Sequence, residues 1–274
     1  MEISELNIYP VKSLGGIALP EAAVEERGFA YDRRWMIVDD AGRFLTQREY
    51  PLMATLRTAL DENCLRITDG GGESLEIPLD GGRIGTARVA VWSSRVRAEI
   101  YADEINRWLG ARLGAACRLA FMPDSSRRKV NFYYAVRKSE DVVSFADAYP
   151  YLLIGESSLT DLNARLAEPV PMNRFRPNLV VRGAPAFAED GWKKVRVGAT
   201  VFHVVKACSR CVVTTIDQAT GTPQGKEPLK TLSTYRLVRR GGKAKINFGQ
   251  NLIAADFGRK IRLGDPVEIL ETRR

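Results

Sequence analysis

From Arg34 to Tyr101 the chain is a succession of short β-type runs, each stopped by a turn before it grows long. Arg34-Trp35-Met36-Ile37-Val38 and Arg43-Phe44-Leu45-Thr46-Gln47 flank Asp39-Asp40-Ala41-Gly42, a pattern that predicts a hairpin with glycine in its turn. Further strands are predicted around 53–60, 64–68, 74–79, 86–92 and 95–101, between Gly, Asp and Asn clusters. Spacing this close points to a small β-barrel or sandwich. Ahead of it, Ile3 to Val11 alternates loosely and runs through Tyr9-Pro10-Val11-Lys12-Ser13 into Gly15-Gly16, as an edge strand entering a turn does. One helix is predicted from Ala102 to Leu113. Ile105, Trp108, Leu109 and Leu113 share a face there, and Gly114 stands at the C-cap.

The composition changes abruptly at Pro123-Asp124-Ser125-Ser126-Arg127-Arg128-Lys129, which is polar, basic and aperiodic: a domain boundary or a flap. Beyond it, Pro150 to Ile154 predicts a short strand. Ser157 or Ser158 can cap a helix carrying Leu159, Leu162 and Leu166 along one side and ending near Pro169. Asn178 to Val181 is a further strand, and Arg176, standing before Pro177, is expected in extended backbone. Val195 to Val197 and Val201 to Val205 form a hairpin about Gly198. Lys226 to Arg236 predicts a short helix with Pro228 in its first turn. Ile246 to Asn251 and Ile261 to Leu270 are closing strands. At 274 residues two domains are the default, and we place them at 1–120 and 121–274. The expected class is mixed α/β and β-rich, with a few short helices.

Composition removes several functions. With 45% apolar and 27% charged residues the chain can bury a core. It has no apolar run near the ~20 residues that span a bilayer, and Met1-Glu2-Ile3-Ser4-Glu5-Leu6 lacks the basic and apolar regions of a secretory signal. Four cysteines, two of them isolated, make no disulfide framework, so a reduced, cytoplasmic and membrane-free protein is expected, as a monomer. The formal charge of +8 is spread in short clusters such as Arg127-Arg128-Lys129, without a basic helix or nucleic-acid motif, so no nucleic-acid partner is expected. The single histidine, His203, sits in a strand pattern without a nucleophile elbow, which disfavours triad hydrolysis and polyhistidine metal sites.

Chemistry concentrates at Lys206-Ala207-Cys208-Ser209-Arg210-Cys211 and the run Val212-Val213-Thr214-Thr215-Ile216 behind it. Zinc wants about four ligands, and Cys64, Cys117 and His203 offer no second pair. A thioredoxin-like dithiol starts a helix, whereas the β-branched run here favours a strand. What remains is one working thiolate aided by Arg210, serving as nucleophile or soft-metal ligand. On spacing alone, two small buried apolar thiols are the plainer reading. In the first half Lys12-Ser13 brings an ammonium, a hydroxyl and a turn amide together, a set suited to phosphate. Solvated charges are the simpler account of Lys12, Arg33 and Arg34.

The Cys-Ser-Arg-Cys stretch, with Thr220-Gly221, Lys226-Glu227-Pro228-Leu229 and Ser233-Thr234-Tyr235-Arg236 behind it, resembles the signature of the MOSC family. Pro10-Val11-Lys12-Ser13 and Tyr31-Asp32-Arg33-Arg34-Trp35 resemble the N-terminal β-barrel domain that accompanies one group of it, the amidoxime-reducing components. Phe175-Arg176-Pro177-Asn178, Phe248-Gly249-Gln250 and Leu263-Gly264-Asp265-Pro266-Val267 extend the likeness over nearly the whole chain, most weakly over 120–145. The resemblance implies an N-terminal β-barrel domain and a C-terminal MOSC β-barrel domain. It implies a molybdenum cofactor, molybdopterin, with Cys211 as metal ligand and catalytic residue. Lys12, Ser13, Arg33, Arg176, Asn178, Ser209, Arg210 and Asn251 would contact the cofactor, whereas Arg34 has no such counterpart. It implies reduction of N-hydroxylated or N-oxide small molecules. Electrons would come from a separate ferredoxin or flavin-reductase type of donor, because the cysteines lack iron–sulfur spacing. The alternative it leaves is a cofactor or sulfur carrier in which Cys211 holds a persulfide or a metal without turnover.

Overall fold

The computed structural model describes residues 1–273. The first half contributes β1 (Glu2–Ile8), β2 (Ile17–Ala18), β3 (Glu21–Glu25), β4 (Gly28–Phe29), β5 (Trp35–Val38), β6 (Arg57–Leu60), β7 (Cys64–Thr68), β8 (Ser74–Pro78), β9 (Arg83–Val91), β10 (Ser94–Tyr101), α1 (Asp103–Leu113) and β11 (Arg118–Phe121). The second contributes β12 (Tyr151–Gly155), α2 (Glu156–Asn163), β13 (Leu179–Arg182), β14 (Trp192–Val197), β15 (Thr200–Ser209), α3 (Leu229–Tyr235), β16 (Leu237–Arg240), β17 (Lys243–Ala254), β18 (Lys260–Arg262) and β19 (Val267–Thr272). The protein is β-rich with short helices, as expected. Its strands are distributed over several sheets, none of which closes on itself among the described residues.

The largest sheet runs β19-β14-β15-β17-β12-β13-β1-β2, so the N-terminal strand lies inside the sheet of the second half. Its first residues pair antiparallel with β13 and its last two with β2. β3 pairs with β18. Ile3, Leu6, Phe29, Tyr151, Trp192 and Phe202 consequently share one core. A second core, with Trp35, Leu65, Ile67, Tyr101 and the buried stripe of α1, lies within the first half. There the Trp35 indole donates to the Tyr101 hydroxyl at 3.0 Å. α1 ends where expected, at Gly114 in the left-handed region (φ 64°).

Three local expectations are corrected. Residues Pro51–Thr55 form a 3-10 turn, with proline in its first turn, rather than the start of a strand. α2 stops at Asn163, and Ser158 does not cap it; its buried hydroxyl donates instead to Glu189 at 2.8 Å. The arm after the Gly42 turn makes an isolated bridge, Val38 to Phe44, and no second strand.

Within β17, Gly249 adopts φ 81°, and a Cβ there would stand 2.6 Å from Ile154 Cγ1 and 2.9 Å from Leu153 O. Neither the neighbouring backbone nor a buried isoleucine can retreat. Gly249→Ala is expected to cost about 2–3 kcal/mol from overpacking and left-handed strain together. Urea unfolding checks this.

Candidate functional site

One cleft lies where the two halves meet, with about 900 Å³ of empty space including its open mouth. Lys12, Ser13, Arg33, Arg176, Asn178, Ser209, Arg210, Cys211 and Asn251 all line it. Five separate segments bring them there, β17 supplying Asn251. The turn after β1 supplies Lys12 and Ser13, and the turn before β5 supplies Arg33. The 3-10 turn Met172–Arg174 leads into Arg176, and the end of β15 leads to Cys211. The backbone is strained at these points: Ser13, Arg33 and Arg176 have φ of 70°, 49° and 55°. Arg176 is therefore left-handed rather than extended. Its amide closes a turn on Asn173 O at 3.2 Å, and this overrides the preference set by Pro177.

Cys211 is half-buried and precedes a 3-10 turn over Val212–Thr215, where a strand was expected. The threonine hydroxyls decide this. Thr214 Oγ1 donates to Cys211 O at 3.0 Å and Thr215 Oγ1 to Val212 O at 2.8 Å, satisfying carbonyls a strand would have turned to a neighbour. The cation at the Cys211 sulfur is Arg48, whose Nη2 lies 3.3 Å away, and not Arg210. Arg210 turns to Cys208 Sγ at 3.0 Å and Phe175 O at 2.5 Å. Arg48 in turn lies over the Trp92 ring, 4.7 Å from its centroid.

Among the described residues the cleft that holds the sulfur is lined by six cations, Lys12, Arg33, Arg48, Arg174, Arg176 and Arg210, against one carboxylate, Asp147. Lys12 Nζ binds Asp147 Oδ1 at 2.6 Å and Phe145 O at 3.0 Å. Burial pushes the Lys12 ammonium down despite Asp147. Burial would push Asp147 up, but Lys12, Arg48 and a hydrogen bond from Trp92 hold its carboxyl well below the usual range. With 65% of that side chain exposed, water screens what the pair contributes to stability.

Arg33 is fixed by Asp32, both of whose oxygens lie 2.7 Å from Nη1, and by Asn178 Oδ1 at 3.2 Å. Asn178 also accepts from Leu152 N and donates to Asn7 O, so its amide positions Arg33 and is otherwise spent. The Tyr9 ring carries two guanidiniums, those of Arg33 at 4.1 Å and Arg176 at 4.2 Å. Burial lifts the Tyr9 hydroxyl to about 12 and lowers Arg176 to about 10. Asn251 donates to Lys206 O at 3.1 Å, bracing the strand before Cys208.

Sequence reasoning missed Arg48, Arg174 and Asp147. Only Arg174 had a signal, two residues ahead of Arg176. It is 3% exposed and binds Asp217 at 3.0 Å and Gln224, yet its Nε and Nη1, like Arg210 Nε, are buried without a partner. Unspent guanidinium donors in a cationic cleft are placed to receive an anion with several oxygens. Together with a partly exposed sulfur for a soft metal, the donor set fits the group the resemblance implies. Arg34 lies elsewhere, buried against Met122 O and Asp124. The basic stretch after Pro123 is tied down by Arg27, which donates to Ser126 O at 3.1 Å and Asp124 O at 3.1 Å.

Comparison with known proteins identifies both domains. The MOSC N-terminal beta barrel domain matches residues 1–116 and the MOSC domain residues 140–268. Mitochondrial amidoxime-reducing component 1 of Mus musculus is 33% identical over 98% of this chain and 82% of its own length. Its counterpart of the same name in Homo sapiens is 30% identical over the same shares. The molybdenum cofactor sulfurase of Oryza sativa subsp. japonica is 31% identical over 91% of this chain, which spans only 32% of that protein. Matched in series by both domains and related along its whole length, the chain belongs to the MOSC family, in the branch where a MOSC N-terminal beta barrel domain precedes the MOSC domain.

Proposed function

We propose that this protein is a molybdenum-cofactor-dependent oxidoreductase that reduces N-hydroxylated or N-oxide compounds of the amidoxime type with electrons from a separate donor. The observation that carries the reading is the Cys211 sulfur lying in a cleft of six cations, two of which keep buried donors unpaired. Lys12, Arg33, Arg174, Arg176 and Arg210 would hold the acidic part of the cofactor, with the Ser13 and Ser209 hydroxyls at its edge. Cys211 would hold the metal, with Arg48 orienting the sulfur through the 3.3 Å contact. When bound, the cofactor supplies the two-electron chemistry. The overall reaction breaks an N–O bond, consumes two electrons and two protons, and releases water with the amidine or amine.

The test uses protein produced in a host that makes the cofactor. Elemental analysis should find molybdenum near one atom per chain, and the protein should reduce benzamidoxime with reduced methyl viologen. Metal-free protein without turnover overturns the proposal. The similarity to the plant sulfurase favours one second reading, a sulfur carrier; a persulfide on Cys211 in metal-free protein would support it.

A further inference from the structure

β16 belongs to the large sheet only through β17 and forms with it a ribbon that leaves the sheet path. The register is Leu237 to Ile246, Val238 to Lys245 and Arg239 to Ala244. Between Glu227 and Asp256 the sequence holds six basic residues (Lys230, Arg236, Arg239, Arg240, Lys243, Lys245) and no acidic one. Arg236, at the root, pairs with Asp190 at 2.5 Å; among the described residues Lys230, Arg239, Lys243 and Lys245 enter no ion pair. Exposed apolar surface lies among these charges, with Val238 50% and Leu237 36% exposed.

The root of the ribbon meets the cleft. Ile246 O accepts from Arg210 N at 2.8 Å, and Asn247 stands opposite Ser209 in the sheet. Ser209 and Arg210 both line the cleft. A basic ribbon with apolar patches, rooted one contact from the proposed reaction centre, suits a partner that must bring charge to that centre and leave again. Rim charges of this kind speed encounter more than they tighten binding.

We infer that the β16–β17 ribbon is the docking surface for an acidic electron-transfer protein. This rests on the reductase reading. Each turnover draws two electrons through the docked donor, delivered singly by two donor molecules if each carries one, while two protons come from water to complete N–O cleavage. Cations on an exposed edge strand also discourage edge-to-edge pairing. That role would show as aggregation when they are removed, and would leave electron delivery unchanged.

The experiment compares wild type with R239E/K243E/K245E, and with the milder K243Q/K245Q in case the triple variant folds poorly. Benzamidoxime reduction is measured with reduced methyl viologen and, separately, with an acidic [2Fe–2S] ferredoxin kept reduced by its flavin reductase. Viologen-driven turnover should stay within about twofold, while KM for ferredoxin rises about tenfold in the triple variant and less in the double. Added salt should slow ferredoxin-driven turnover of the wild type far more than that of the triple variant. Equal ferredoxin KM and salt response in both proteins, or no ferredoxin-driven turnover of wild type while viologen works, overturns the docking assignment. Absence of viologen-driven turnover in wild type sinks the reductase reading itself.

Discussion

Cys211→Ser is expected to lower amidoxime reduction at least about a thousandfold, because an alcohol oxygen is a hard, protonated substitute for a soft thiolate at a heavy metal. The protein should nonetheless fold, since serine is close to isosteric and the sulfur's contact is to one arginine, Arg48. Cys208→Ser is the matched control. Its sulfur lies against Arg210, whose guanidinium keeps a second anchor at Phe175 O, so the loss should be about threefold or less. Steady-state rates with reduced methyl viologen, alongside molybdenum content, read both variants. Equal losses would return the pair to dithiol chemistry; full activity in Cys211→Ser would remove the metal-ligand assignment.

The second large effect concerns stability. Asp32 is fully buried, accepts the Tyr9 amide at 2.8 Å and holds both oxygens to Arg33. Burial raises its pKa, and Arg33 and the Tyr9 amide work against that. Asp32→Ala leaves the Arg33 guanidinium nearly buried with no carboxylate, only Asn178, a carbonyl and the Tyr9 ring beside it, an unpaired charge that costs about 3–5 kcal/mol. The melting temperature should fall by roughly 10 °C. Adding Arg33→Met should recover part of the loss, since the stranded charge is then gone. If the double variant is no more stable than Asp32→Ala, the cost lies in the Tyr9 backbone contact instead. Either variant should also weaken cofactor retention, which makes Asp32 the hidden support of a residue that the sequence placed in the site.

What the sequence disclosed follows from the range of each interaction. The strand pattern of 57–101, α1 with its glycine cap and the hairpin about Gly198 are local and were legible. The candidate site was legible in its motifs, since Lys12, Arg33, Arg176 and Cys211 each sit in a recognisable short run and all line one cleft. Pairings across the chain were not. Arg210 stands next to Cys211 in sequence, yet the turn over Val212–Thr215 aims it at Cys208 and Phe175. The vacated position goes to Arg48, which comes from the first half and carries no motif. Arg176 shows the same limit, because a turn on Asn173 overrides a rule about prolines. Nor could composition show that the strand Glu2–Ile8, with β2 beside it, completes a sheet whose other members begin at Tyr151.

That placement of β1 has a consequence during synthesis. At first β1 can pair only through its last two residues, with β2; its earlier residues must wait for β13, made more than half a chain later, and β3, paired early with β4, must wait longer still for β18. Contacts so distant along the chain make for slow closure. Newborn protein thus passes through a long interval in which apolar residues of β1 and β3 are bare, the period when a chaperone has most to protect.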